Sequence, residues 1–181
     1  MALFDKNTWY ILKHLHHNIA AQAAVRIENG ERLLPMAYLV SPSPSEDAQA
    51  RMHVAEVAAD FISELMHQAA GNKLLLKYLT DALHEGSAIQ RQIDREHGIQ
   101  PSYTICVQEA LLPNADSQAA PRSALMVLLN GKNFTLPIFH LIGVHPGGQR
   151  ICQLRSFPEM QEIEAAQHIL QTRMPHNSTL H

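Results

Sequence analysis

Apolar residues return every three or four positions at Trp9, Leu12, Leu15, Ile19 and Ala23, which lays one stripe along a helix with Asp5 or Asn7 placed to cap it. Asn29-Gly30 then either ends that helix or forms the loop of a hairpin. The helix ending is preferred, because the hairpin would set Glu28 opposite Glu31. Arg32 to Val40 is rich in β-forming residues, and Pro35 removes a ladder donor, so the strand should begin late or lie at a sheet edge. Ser43-Pro44-Ser45-Glu46 carries the hydroxyl, proline and carboxylate of a helix start. It predicts a helix to about Ala70, with Val54, Val57, Phe61 and Leu65 inward and Gly71 as a left-handed stop. Asn72 is placed to cap a second helix with Leu75, Leu79, Ala82, Ile89 and Ile93 inward, ended by Gly98 and Pro101 and open to a break at Gly86-Ser87.

From Ser102 the period changes to two. Tyr103, Ile105 and Val107 alternate with Thr104, Cys106 and Gln108, as in a half-buried strand. After a Pro-rich loop, Ser123 to Leu129 and Phe134 to Val144 flank Asn130-Gly131, a strong hairpin signal that would set Val127 opposite Phe134 and Leu125 opposite Leu136. Pro146-Gly147-Gly148 turns the chain into a short strand, Arg150 to Leu154. Glu159 to Arg173 reads as a closing helix with Met160 and Ile163 inward. The sum is one α+β domain over 1–174, with a frayed tail at 175–181: an antiparallel β-meander of about four to five strands, long helices packed on one face, and N- and C-terminal helices. Both parities of the central hairpin are apolar: Leu125, Val127, Phe134, Leu136 and Ile138 on one side, Met126, Leu128, Pro137, Phe139 and Leu141 on the other. One side faces the core; the other needs cover from the N-terminal helix or from a second subunit.

A chain of 181 residues with 46% apolar side chains suits a single domain. Its 17 acids against 14 bases leave no basic excess for a phosphate backbone, so no nucleic acid partner is expected. The longest mainly apolar stretch, Phe134 to Val144, has 11 residues, against roughly 20 for a membrane helix, so no membrane span is expected either. Two cysteines and a start without a secretory pattern predict reduced thiols and a cytoplasmic location.

Candidate chemistry is sparse. The twelve histidines are dispersed; His14 and His17 lie one helical turn apart but lack a third ligand, so no metal is expected. His140 shares the parity of Phe134, Leu136 and Ile138. A five-residue glycine turn would make it the diagonal neighbour of Cys152, a possible thiolate and imidazolium pair, whereas a four-residue turn would move Cys152 to the other face. Glu109 continues the Tyr103 face, either as an exposed strand-end carboxylate or as a general acid with raised pKa, and His145 would stand with it at the rim of a pocket. No phosphate loop or nucleophile elbow is present, and no cofactor is expected. The first functional expectation is therefore a non-enzymatic accessory protein, joined to a protein partner or to its own copy through an apolar sheet face. The alternative is a small hydrolase or transferase using the Cys/His or Glu/His pair.

Overall fold

A computed structural model describes residues 6–42, 52–114 and 119–163. Helix α1 (Lys6–Glu28) buries Trp9, Leu12, Ile19 and Ala23 as the spacing predicts, together with His16, Ala20, Ala24 and Ile27. It ends as the preferred reading expects: Gly30 takes φ +79 and Glu31 N–H donates to Arg26 O at 3.0 Å, a left-handed close that a side chain would strain.

Strand β1 (Met36–Pro42) starts immediately after Pro35, the late start the missing donor requires. Here the chain departs from expectation. In place of one helix reaching Ala70, Met52–Glu56 forms strand β2, antiparallel to β1 with Val40 opposite Val54, and only Ala59–His67 is helical (α2). The helical spacing of Val54, Val57, Phe61 and Leu65 is real, but pairing with β1 satisfies a whole row of backbone groups. Val57 N–H extends that pairing by donating to Ala37 O at 2.8 Å, and Ala58 is extended at ψ 128. The capping signal at residues 43–46 lies outside the described residues. Gly71 is no left-handed stop; it opens helix α3 (Gly71–Ala82), where a Cβ would lie 2.7 Å from Met66 Cα. The break at Gly86-Ser87 is realised. Helix α4 (Ala88–His97) begins there, with the Ser87 hydroxyl accepting from Gln90 N–H at 3.0 Å, and closes on Gly98 at φ +64.

Strands β3 (Tyr103–Leu112), β4 (Arg122–Gly131), β5 (Phe134–Val144) and β6 (Arg150–Gln153) complete a six-stranded, wholly antiparallel sheet in the order β2-β1-β3-β4-β5-β6. The sheet has six strands rather than four to five because residues 52–56, within a stretch whose spacing predicts helix, add β2. The β4–β5 hairpin turns at Lys132-Asn133 and not at Asn130-Gly131, so Val127 faces Ile138 and Leu129 faces Leu136. Gly131 instead sits as the last strand residue under the Phe134 ring, where a Cβ would overlap it. β4 runs two residues further than expected, β5 keeps its expected span, and the pairing slips by four residues, an even slip that leaves every side chain on its assigned face.

Helices cover both faces: α2, α3 and α4 pack on one side, and the other takes its cover from the N-terminal helix, one of the two covers expected for it. Trp9, Leu12, Ile19 and Ala23 of α1 pack with Val40, Ile105, Val107, Leu125, Val127, Ile138 and Cys152, joined by Phe157 and Ile163 from the chain after β6. Ile62, Leu75, Leu79 and Ile93 of α2, α3 and α4 pack on the opposite side over Ala37, Leu39 and Cys106. Arg150 of β6 ion-pairs with Glu109 of β3 across the two intervening strands, so the sheet curls around the α1 side. The chain is helical again from 160 to 163, where the described residues end; Ile163 is buried as expected, and the rest of the closing helix and the tail at 175–181 lie outside them. Among the described residues, no helix is long and apolar enough to cross a membrane.

Candidate functional site

The most unusual chemistry is a buried pair of imidazoles between α1 and the sheet. His16 follows Leu12 by four residues and precedes Ile19 by three, which places it on the buried stripe of α1, at 4% exposure. His140 lies on β5 between Ile138 and Ile142 of the same parity and is fully buried. Their Nε2 atoms are 3.2 Å apart, and the Phe157 ring lies tilted against His16 with centroids 5.2 Å apart.

The backbone assigns the protons. Arg155 N–H donates to His140 Nδ1 at 2.9 Å, so Nδ1 is an acceptor and the neutral ring carries its proton on Nε2. That Nε2–H donates to His16 Nε2, which leaves His16 protonated on Nδ1. Two Nε2 atoms at this separation also suit two ligands of one metal ion, but a proton on His140 Nε2 removes its lone pair from coordination. No group of three or more metal-ligating side chains occurs among the described residues. Burial, then the His140 and His17 charges, hold the His16 pKa down at about 4; burial, then the Arg155 charge, hold His140 below its usual value.

The other candidates distribute as follows. The glycine turn has five residues, so Ile142 pairs with Cys152, and His140 and Cys152 share one face as the longer turn requires. Both His140 nitrogens are nonetheless committed, to Arg155 and to His16, and neither is left to take the thiol proton. Burial and the Glu28 carboxylate push the Cys152 thiol up to about 11, and burial alone lifts Cys106 to about 11 on the opposite face. Both thiols of the native protein are therefore expected to react with a neutral-pH thiol reagent at least about 100-fold more slowly than free cysteine, because so little thiolate is present. Time-resolved labelling with and without denaturant checks this, and rapid labelling of Cys152 in the native state contradicts it.

Glu109 is engaged rather than poised as an acid. Nη1 and Nη2 of Arg150 both donate to its carboxylate, and Leu33 N–H donates to Oε1 at 3.3 Å. Burial would raise its pKa, but these bonds and the Arg150 and Arg32 charges outweigh it and hold the carboxyl below its ordinary value. His145 is exposed in the turn, its Nδ1 accepting from Gly147 N–H at 3.3 Å, and is not joined to Glu109. His14 and His17 are exposed on the outer side of α1. A separate shallow cleft lies between Thr80 of α3, Leu83 just after it, and residues 130–135 of the hairpin, away from all of these groups.

His16 is the functional residue that the sequence reading does not single out, since the one-turn spacing of His14 and His17 is the more conspicuous pattern. The signal was available in its spacing from Leu12 and Ile19, which points it inward. Comparison with known proteins returns no match to a family model, a curated protein or a solved structure.

Proposed function

We propose that this protein is a non-enzymatic accessory factor of a reducing cytoplasm that acts by association, first of all with a second copy of itself. One observation carries the reading: the convex sheet face over β4, β5 and β6 presents an apolar patch. Met126, Phe139 and Leu141 are half-buried, Pro137 is exposed, and Ile151 is 39% exposed. Helices α2, α3 and α4 pack over β1 and β3 and leave this half of the face to solvent among the described residues. The patch favours its own copy because Arg122 is the one charged residue among the strand positions of that face on β4 to β6, so two copies meet without like-charge repulsion. The engagement of His140, Cys152 and Glu109 in neutral, protonated or ion-paired states further supports association over hydrolysis or group transfer.

Sedimentation velocity is expected to show a concentration-dependent dimer, and Ile151→Glu, at an exposed position, to give a folded monomer by placing two carboxylates in one isologous interface. A wild-type chain that stays monomeric at the highest attainable concentration overturns the proposal, as does an Ile151→Glu variant that dimerises as wild type does.

A further inference from the structure

The histidine pair has no room for another proton. His140 already uses Nδ1 to accept from Arg155 N–H and Nε2–H to donate to His16. A proton on His140 Nδ1 breaks the first bond, and a proton on His16 Nε2 sets two N–H groups against each other at 3.2 Å. Among the described residues, the surroundings offer no anion in compensation. From α1 the acting neighbour is His17, from the chain after β6 it is Arg155, and both add positive charge. Phe157 supplies an aromatic wall, β4 presents Leu125, and β6 presents Cys152 as a neutral thiol. The described carboxylates on the neighbouring elements are committed elsewhere: Glu28 to Cys152 N–H, Glu109 to Arg150, Glu159 to Lys13 at 3.7 Å, and Glu162 to Glu159 N–H at 2.9 Å.

The contact is also placed where it governs a whole element. His16 stands on the middle turns of α1, and its partner belongs to the sheet, 124 residues away in sequence. We propose that the His16–His140 contact is an acid-released latch holding α1 against the sheet, and that protonation frees the apolar concave face that α1 covers. This goes beyond self-association through the convex face and does not depend on it. The latch reads a fall to acid-stress pH as a change in exposed surface.

The chain carries its own reporter. Trp9, the sole tryptophan, lies two turns before His16 on α1, is 5% exposed, donates Nε1–H to Pro158 O at 3.1 Å and packs edge-on to Phe157. As pH falls from 6.5 towards 4, Trp9 emission in the full-length protein is expected to shift to the red and its acrylamide quenching to rise several-fold. Amides of β3 and β4 should keep their protection in hydrogen exchange over the same interval. His16→Leu combined with His140→Met replaces both imidazoles by apolar groups and is expected to abolish the Trp9 change. If that variant does not fold, imidazole nitrogen NMR of the wild type takes its place: the tautomers assigned above should be seen at neutral pH and should disappear together with Trp9 burial. The latch is refuted if Trp9 stays buried throughout, if β3 and β4 lose protection together with α1, if the folded double variant keeps the transition, or if the imidazoles titrate in an interval separate from Trp9 exposure.

Discussion

Leu125→Ala is expected to destabilise the protein by about 2–5 kcal/mol, with a value in the upper half of that range. Leu125 is fully buried on β4, opposite Glu109 on one side and His140 on the other, beneath α1. The deletion removes the transfer free energy of the side chain and leaves a hole bounded by backbone on two paired strands, which cannot close without shifting the ladder. The hole also borders the imidazole pair, so water entering it would solvate groups that are held neutral by its exclusion. Urea unfolding followed by far-UV circular dichroism should show a lower midpoint with an unchanged slope. Leu111→Ala, at a position 69% exposed on the neighbouring strand, should change stability by no more than about 0.5 kcal/mol. A loss under about 1 kcal/mol at Leu125 would mean that α1 does not close this face.

Acidification is expected to act on the same layer from the solvent side. His16 has a folded pKa of about 4 against an ordinary value of 6.5, so below 6.5 the unfolded chain binds a proton that the folded chain refuses. Stability therefore falls as pH drops from 6.5 and levels off near 4. The loss attributable to His16 is about 2 kcal/mol at pH 5 and about 3 kcal/mol once both states are protonated. His140, also depressed, contributes in the same direction. Glu109 acts lower on the scale: its stabilising ion pair is complete above the ordinary carboxylate value of 4.5 and is lost as pH falls through its depressed pKa. Urea midpoints measured at intervals between neutral pH and pH 5 check the sign and size. Replacement of both histidines by Leu and Met should flatten the profile across that interval; a wild-type profile that is already flat contradicts the buried neutral assignment.

Much of the sheet was legible because period-two alternation from Tyr103 to Val144 is a local pattern whose faces survive an even slip in register. The exact hairpin loop was not, since Asn130-Gly131 carries the turn signal while the Phe134 ring over Gly131 keeps that glycine in the strand. β2 was hidden for a different reason: Val54, Val57, Phe61 and Leu65 satisfy a helical spacing, and only the need of β1 for a neighbour decides for a strand at 52–56. The five-residue turn that brings His140 and Cys152 to one face was one of two registers weighed from spacing. What spacing could not supply was the partner of His140, because His16 comes from an element 124 residues away and the Arg155 amide that orients the ring carries no side-chain signature. Glu109 was placed on the correct face, but its engagement with Arg150 depends on the curl of the whole sheet.

The amide of Cys152, on the last strand of the sheet, goes to the Glu28 carboxylate of α1 at 3.3 Å instead of to another strand. A helix side chain thus plugs one end of the ladder. Head-to-tail stacking needs two complementary ends, one on each molecule, and here one of them is stoppered from within. Growth of a fibre by repeated strand addition is thereby denied its second terminus, and any union through backbone pairing at β2 would have to close as a finite pair.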